Sequence, residues 1–351
     1  MSAERKDRSA MMVVGVDSHK DSLVCVVVDQ AGRAAGSEVF ANTAVGHEAM
    51  WAWVRQLGCV VRVGIEGSGS YGRGLAQMLV TAGHVVVDVP PQMTARARRR
   101  QRTRTKTDPG DALGIARVAL REDGLPQVQA VGLTDDLRAL CAYRRELSDQ
   151  LVKASGRLHA ELAKIRCGYR HELRTRITLK SSLDKVLTLL GEDHSIRADL
   201  ARSRVSAMRT LINQTRALDT QIRHTLHQTG TTLTQIRGIA ELGAAEILAQ
   251  VGHPNKYPTK AKFAMANGTA PVQASSGRVV RHRLNRGGNR QLNRTIHTAA
   301  ITQIRQPGTE GRLYYNRLLD RGKTKKEAIR CLKRRISDRI WTHLQHTTTQ
   351  N

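Results

Sequence analysis

The stretch MMVVGVDSHKDSLVCVVVDQ, residues 11–30, decides how the N-terminal part folds. It holds two apolar runs, Met11–Val16 and Leu23–Asp29, joined by a short polar link. A link that short makes the two strands antiparallel neighbours, because a parallel crossover needs a dozen or more residues. The first strand ends in Asp17, and an AGR turn leads to a third strand, about Ser37–Asn42. A helix over about His47–Leu57 follows, then a buried-type strand, Val60–Ile65, ending in Glu66. A second helix, about Gly72–Ala82, feeds the strand Val85–Val89, which Pro90 and Pro91 close. The first 125 residues therefore read as an α/β domain.

The chain has 351 residues, with 57 Lys+Arg against 30 Asp+Glu and a formal net charge of +27. That surplus calls for a polyanionic partner or an anionic surface. Hydrophobic residues at 40% are enough for real cores, which excludes a disordered basic tail. Aromatics at 3% argue against modules that stack single-stranded bases on aromatic platforms. Five cysteines without paired spacing exclude a disulfide scaffold and a zinc ribbon. No apolar run approaches a membrane span and the N-terminus does not read as a signal peptide, so the expected setting is the cytoplasm, with no membrane partner.

Beyond Val89 the chain becomes strongly basic. Seven of the eleven residues from Arg96 to Lys106 are basic: Arg96, Arg98, Arg99, Arg100, Arg102, Arg104 and Lys106. Such a run is a solvated arm until it meets phosphate. Asp108-Pro109 then opens a helix, with Asp at the N-cap and Pro at the first helical position. From Leu133 to Ile165 apolar residues recur at three- and four-residue steps, with Arg144 the polar break in the seam. A second such run contains Met208, Leu211, Leu218, Ile222 and Leu226. Two long helices with a link of 35–40 residues read as an antiparallel coiled-coil hairpin or a dimerisation arm. The remainder is helical, basic and punctuated by glycine. IRGIAELGAAEILAQVG is expected to form two short helices around a glycine turn, similar to a helix-hairpin-helix. The domains drawn on these patterns are 1–130, 131–230 and 231–351.

Two constellations carry chemistry. In the first, Asp17 and Glu66 end strands that would be neighbours, and Asp108 and Asp111 share a helical face that could reach the same point. Four carboxylates stay ionised together only around a cation. Oxygen-only ligands select hard ions such as Mg2+ or Mn2+, and a pair of such ions about 4 Å apart serves in-line phosphodiester cleavage. Plainer readings exist for each residue alone: Asp108 as an N-cap, Asp111 as a first-turn acid, Glu66 as a surface residue. The glycines of Gly67-Ser-Gly69-Ser-Tyr-Gly72, with Asp88 further on, also fit a dinucleotide fingerprint. The antiparallel start and the size of the net charge weigh against it.

The second constellation is GTAPVQASSGRVVRHRLNRGGNRQLNR, residues 268–294. Ser275 and Ser276 stand before Gly277, followed by Arg278, Arg281, His282, Arg283, Arg286, Arg290 and Arg294. Arginines brace a phosphate in its transition state through bidentate bonds, and a serine hydroxyl with such support can attack phosphorus. The alternative for Ser-Ser-Gly is an ordinary loop, and for RGGNR a solvated hinge.

VVGVDSHKD, VGIEGSGSYG and KTDPGDA resemble the D-E-D-D blocks of the transposases of insertion-sequence family 110, with its 116/902 and 1111 branches. The segment 268–294 resembles that family's C-terminal serine block. The resemblance implies an RNase H-like, RuvC-like N-terminal domain, a helical coiled-coil middle that dimerises, and a mainly α C-terminal serine domain. It implies that Asp17, Glu66, Asp108 and Asp111 hold the metal, and that Ser276 is the nucleophile, with Ser275 the alternative. It further implies strand cleavage and transfer between donor and target DNA, a structured bridge RNA, and a homo-oligomer, dimer or tetramer, at the bacterial nucleoid. A Piv-type site-specific invertase would share both blocks. A RuvC-like junction nuclease would need only the first.

Neutralising several of Arg96–Lys106 is expected to weaken nucleic-acid binding and to flatten its dependence on salt, because fewer counterions are released. Binding isotherms at several salt concentrations measure this directly; an unchanged slope would remove the segment from the interface.

Overall fold

The computed structural model describes residues 11–94, 108–173, 176–252, 256–273, 282–283, 285 and 287–348. The chain divides into two compact units, Met1–Val131 and Gly132–Asn351.

The first unit is built on a five-stranded sheet. Its strands are β1 (Met11–Ser18), β2 (Ser22–Val28), β3 (Ala34–Ala41), β4 (Cys59–Glu66) and β5 (Val86–Asp88), in the order β3-β2-β1-β4-β5. The β1–β2 and β2–β3 pairs are antiparallel, and the β1–β4 and β4–β5 pairs are parallel. The short links after β1 and β2 make the antiparallel half, as the sequence requires. Helix α1 (Ala44–Leu57) carries the chain across to β4, and α2 (Arg73–Thr81) joins β4 to β5. A three-stranded meander extended by two parallel strands is the RNase H-like, RuvC-like arrangement. β3 begins at Ala34, earlier than its apolar content suggests, because it is an exposed edge strand whose residues gain little burial.

Both faces of the sheet are covered, which is why β1 and β2 read as continuous apolar runs. Val14, Val16, Leu23, Cys25 and Ile65 pack with Met50 and Val54 of α1 and Leu75 and Leu79 of α2. Val13, Val24, Val26 and Val89 face the other way, against Ala112, Ile115, Ala116 and Ala119 of α3 (Asp108–Arg121). α3 lies unusually close to the sheet. A Cβ on Gly15 would stand 2.3 Å from the Ala112 carbonyl oxygen and from the Ala116 nitrogen. A Cβ on Gly64 would stand 2.6 Å from the Ala119 Cβ. At the far end of the helix, Arg62 donates to the carbonyls of Ala119 (3.0 Å) and Glu122 (3.2 Å), satisfying orphan acceptors of the last turn.

The second unit is helical among the described residues, apart from one short hairpin. Helices α4 (Leu133–Ile165) and α7 (Ile196–Gln228) run antiparallel, and their link, 166–195, folds into α5 (Tyr169–Leu173) and α6 (Lys180–Leu190). The tip of this hairpin has its own core, including Leu158, Leu162, Leu183, Val186, Val205 and Met208. Its base shares a core with the C-terminal helices. Leu137, Cys141, Ile222 and Leu226 pack with residues of α8 (Glu241–Val251), α9 (Lys260–Ala266), α10 (Arg290–Arg305) and α12 (Lys325–Thr348), with α11 (Glu310–Asp320) between the last two in sequence. The polar break Arg144 pairs with Asp219 across the two long helices. Leu147, one turn further along α4, is buried within the chain.

The segment around Gly238 differs from the expected pair of helices. Its first piece is only a 3-10 turn, Leu233–Gln235, before α8. Gly238, at φ +85°, faces α10, where a Cβ would lie 2.8 Å from the Ala299 carbonyl oxygen. Gln303 Nε2 donates to the Arg237 carbonyl at 2.7 Å. The turn is thus packed against a helix.

The five cysteines are free, and burial pushes the Cys25 thiol up to about 12 and the Cys141 thiol up to about 11. Neither buried thiol is suited to thiolate chemistry.

Gly15→Ala is expected to cost about 1–3 kcal/mol, since the added methyl meets helix backbone. Gly114→Ala, on the same helix with nothing within 4 Å of the new Cβ, is expected to gain up to about 1 kcal/mol. Urea unfolding of the two variants tests the contrast; equal effects would show that α3 does not depend on the approach at Gly15.

Candidate active site

Within the first unit, the parallel register of β1 and β4 sets Asp17 directly opposite Glu66. Neighbouring residues in register point to the same side of a sheet. That side is the one under α3, because Gly15 and Gly64, two residues earlier on each strand, face that helix. The first turn of α3 carries Asp108 and Asp111, and the Ala112 carbonyl sits over Gly15, two residues before Asp17. Asp108 begins the helix; its side chain lies outside the described residues. Among the described residues no three His, Cys, Asp or Glu side chains come together as a metal-holding group.

The two strand-end acids are held by neighbours that the sequence reading did not single out. Thr94, 2% exposed, lies with its hydroxyl 3.1 Å from Glu66 Oε2 and 2.9 Å from the Pro91 carbonyl. One hydroxyl proton serves one of these acceptors at a time. His19 Nε2 stands 3.5 Å from Asp17 Oδ2, an ion pair when the ring is protonated. The signal for His19 was available, since it follows Asp17 at strand spacing; Thr94 has no such signal, being 28 residues from its partner.

The loops that follow the two strands are fastened to one another. Asn42 Nδ2 donates to the carbonyls of His19 (2.8 Å) and Tyr71 (3.0 Å). Its Oδ1 is therefore left to accept, and His47 Nε2, 2.8 Å away, must be the donor. Burial holds the His47 imidazole below the usual histidine range, which favours this neutral ring. Ser18 Oγ donates to the Glu66 carbonyl at 2.6 Å, tying the ends of β1 and β4.

The glycine loop after Glu66 is a compact turn. Gly67, at φ +78°, accepts from Ser70 N and Gly72 N, and Ser68 Oγ bonds Asp88. Asp88 shares its face with Val86, which belongs to the core under α1 and α2, opposite Glu66. The acid that a dinucleotide reading would assign to a ribose thus anchors its own loop, and the antiparallel β1–β2 pair departs from that fold.

The serine block lies in the second unit. β6 (Val272–Gln273) and β7 (His282–Arg283) pair antiparallel. Ser275, Ser276, Arg278 and Arg281, in the connection between them, lie outside the described residues, as do Arg286 and the basic run Arg96–Lys106. For Arg283 only the backbone is described. Arg290 and Arg294 are exposed on α10. The feet of this hairpin are clamped. Asn267, fully buried, donates to Ser337 Oγ (2.8 Å) and accepts from Thr269 N (3.1 Å) and Oγ1 (2.7 Å). Asn293 Nδ2 donates to the Asn267 carbonyl at 2.7 Å. On the other foot, Asn289 caps α10 and its N–H reaches the Ala266 carbonyl at 2.7 Å. A Cβ on Gly288 would stand 2.3 Å from Gly268 N. In RGGNR, Gly288 is therefore a packing glycine and not part of a solvated hinge.

Fold and site define a RuvC-like α/β unit with paired strand-end carboxylates, followed by a helical unit bearing a clamped serine hairpin. The IS110 transposase DEDD domain matches residues 14–166, and the IS116/IS110/IS902 transposase family matches residues 230–316. The chain belongs to this transposase family. The first match contains all four acids and the second contains both serines. An insertion element IS110 protein of Streptomyces coelicolor, described as an uncharacterized 43.6 kDa protein, is 36% identical over 139 residues. That match spans 38% of this chain and 34% of the relative, about a third of its length. Thermus thermophilus RuvC, solved in complex with a Holliday junction substrate, is 16% identical, with a TM-score of 0.28, covering 34% of this chain and 99% of that one. A second T. thermophilus RuvC structure gives 17% identity and a TM-score of 0.26, covering 34% and 100%.

Asn267→Ala is expected to lower stability by about 2 kcal/mol, because it leaves buried partners without their bonds. The midpoint of urea unfolding at unchanged slope measures it; a shift near zero would mean the clamp contributes nothing net.

Proposed function

We propose that the protein is a DNA transposase that cuts and rejoins strands of an insertion sequence, using acids of the first unit and a serine of the second. The observation that carries this reading is the Asp17–Glu66 register, which sets two carboxylates side by side at the ends of two interior strands, on the face that α3 covers. Oxygen donors at neighbouring strand positions fit a hard divalent ion and repel one another without one. In this reading Asp17, Glu66, Asp108 and Asp111 hold Mg2+ or Mn2+. When bound, the ion supplies Lewis-acid polarisation of the scissile phosphate.

The chain's own groups do the rest. Thr94 and the Asn42 clamp keep the Glu66 carboxylate and the two loops in place. The Ser276 hydroxyl attacks phosphorus; the new O–P bond forms as the bond to one DNA strand breaks, and that strand's oxygen takes a proton. Arg278, Arg281, Arg283, Arg286, Arg290 and Arg294 brace the charged phosphate. The phosphoserine ester conserves the bond energy, so attack by the hydroxyl of another strand reseals DNA and frees the serine without a nucleotide cofactor. The chemistry requires carboxylates and serine to act on one phosphate, from one chain or from two chains of a dimer or tetramer. The +27 net charge supports a polyanionic partner; the family resemblance supplies the proposal that the partners are DNA and a structured bridge RNA. No helix among the described residues is long and apolar enough to cross a membrane. We place the protein at the bacterial nucleoid.

The test uses the full chain, purified with its bound nucleic acid, on supercoiled donor and target DNA. Wild type is expected to leave a denaturant-resistant protein–DNA adduct that Ser276→Ala loses. Asp17→Ala and chelation are each expected to slow cleavage by about 10²-fold or more, with added Mg2+ or Mn2+ restoring the chelated enzyme. Continued cutting by Ser276→Ala without any adduct would replace the transposase reading with a hydrolytic junction nuclease. Loss of the adduct in Ser275→Ala alone would move the nucleophile by one residue. A discrete RNA in the purified complex supports guidance, and its absence in an active preparation refutes it.

A further inference from the structure

Beside the feet of the serine hairpin lies a lysine with no counter-ion among the described residues. Lys333, on α12, is only 9% exposed, yet its one bond among the described residues is from Nζ to Asn293 Oδ1, at 2.6 Å. No carboxylate among the described residues pairs with it. The groups that act on it electrostatically are themselves cationic or able to become so. Burial, then the charge of Arg330, holds the Lys333 ammonium below the usual lysine range. Burial, then the charge of Lys333, holds the His297 ring below the usual histidine range. Arg330 and His297 are exposed, one turn from Lys333 and Asn293 respectively, on two helices that share one core. A buried ammonium among other cations, with donors to spare, is costly unless an anion completes the cluster. Asn293 carries the connection onward, since its amide nitrogen donates to the Asn267 carbonyl at the start of the hairpin.

We propose that Lys333, Arg330 and His297 form a phosphate site that seats one backbone phosphate of the bound nucleic acid beside the serine hairpin. The inference rests on the nucleic-acid partner of the reading above and adds a contact outside the arginine-rich block. Lys333 is a compact point charge fixed by Asn293, and Arg330 offers a planar fork, a combination suited to a phosphate oxygen pair. Through Asn293 and Asn267, a phosphate held there also registers the strand against the hairpin.

The probe is inorganic phosphate, titrated against chloride at matched ionic strength while thermal unfolding of the full chain is followed. Phosphate is expected to raise the Tm of wild type and of Asp17→Ala alike, and Lys333→Met is expected to lose that rise. Arg330→Gln, at an exposed position that folding does not depend on, is expected to need about tenfold more phosphate for the same rise. An equal rise in wild type and Lys333→Met overturns the site. If Lys333→Met does not fold, an unchanged phosphate midpoint in Arg330→Gln overturns it instead. Binding to a short DNA duplex then identifies the source of the phosphate. The salt slope of Arg330→Gln is expected to fall by about one, and an unchanged slope overturns the assignment to a nucleic-acid backbone. Asp17→Ala keeps the phosphate response even where cleavage is lost, so failure of this site and failure of the transposase reading are separate results.

Discussion

The first unit depends on one steric condition: the backbone of α3 must lie directly on β1 and β4. Gly15 and Gly64 allow that approach, and Ala112, Ala116 and Ala119 present a flat helix face to it. A side chain at either glycine would lift the helix off the strands. Because Asp17 and Glu66 stand two residues beyond these glycines on the same face, lifting the helix would also move its first turn away from them. Packing and site are therefore one problem. The same contact that builds the core on that face sets the spacing between helix acids and strand acids.

The second unit solves a different problem. A short hairpin of two-residue strands has little stability of its own. Here its feet are held by three asparagines: buried Asn267 bonds Ser337 and Thr269, half-buried Asn293 donates to the Asn267 backbone, and the Asn289 backbone N–H donates to Ala266. These bonds are short-range and directional, so they fix where the hairpin leaves the helices. The long α4–α7 pair shares its base core with the same helices, so the hairpin is mounted on that common core.

Much of this was readable from residue patterns. The short polar link after Asp17 made β1 and β2 antiparallel, and the apolar run at 60–65 gave β4. The seam beginning at Leu133 gave the two long helices. The readings that needed revision share a cause. The link between the long helices holds two helices of its own, α5 and α6, whose apolar residues bury against the tip and not along one seam. The turn at Gly238 read as the middle of a helix-hairpin-helix, yet its glycine serves a helix 61 residues away by sequence, at Ala299. Glycine spacing alone does not distinguish approach to a ligand from approach to another helix.

Acid types, their order and the charge surplus are properties of the sequence itself, and they limit the chemistry to hard cations and phosphate. Periodicity also belongs to the sequence, because a strand or helix face is set by local geometry. Partners far apart along the chain belong to tertiary structure alone. Thr94 beneath Glu66, Asn42 bridging the loops at His19 and Tyr71, and Lys333 buried without a carboxylate among the described residues each join segments tens of residues apart. A hydrogen bond acts over about 3 Å, and only the completed fold determines which distant groups come within that reach.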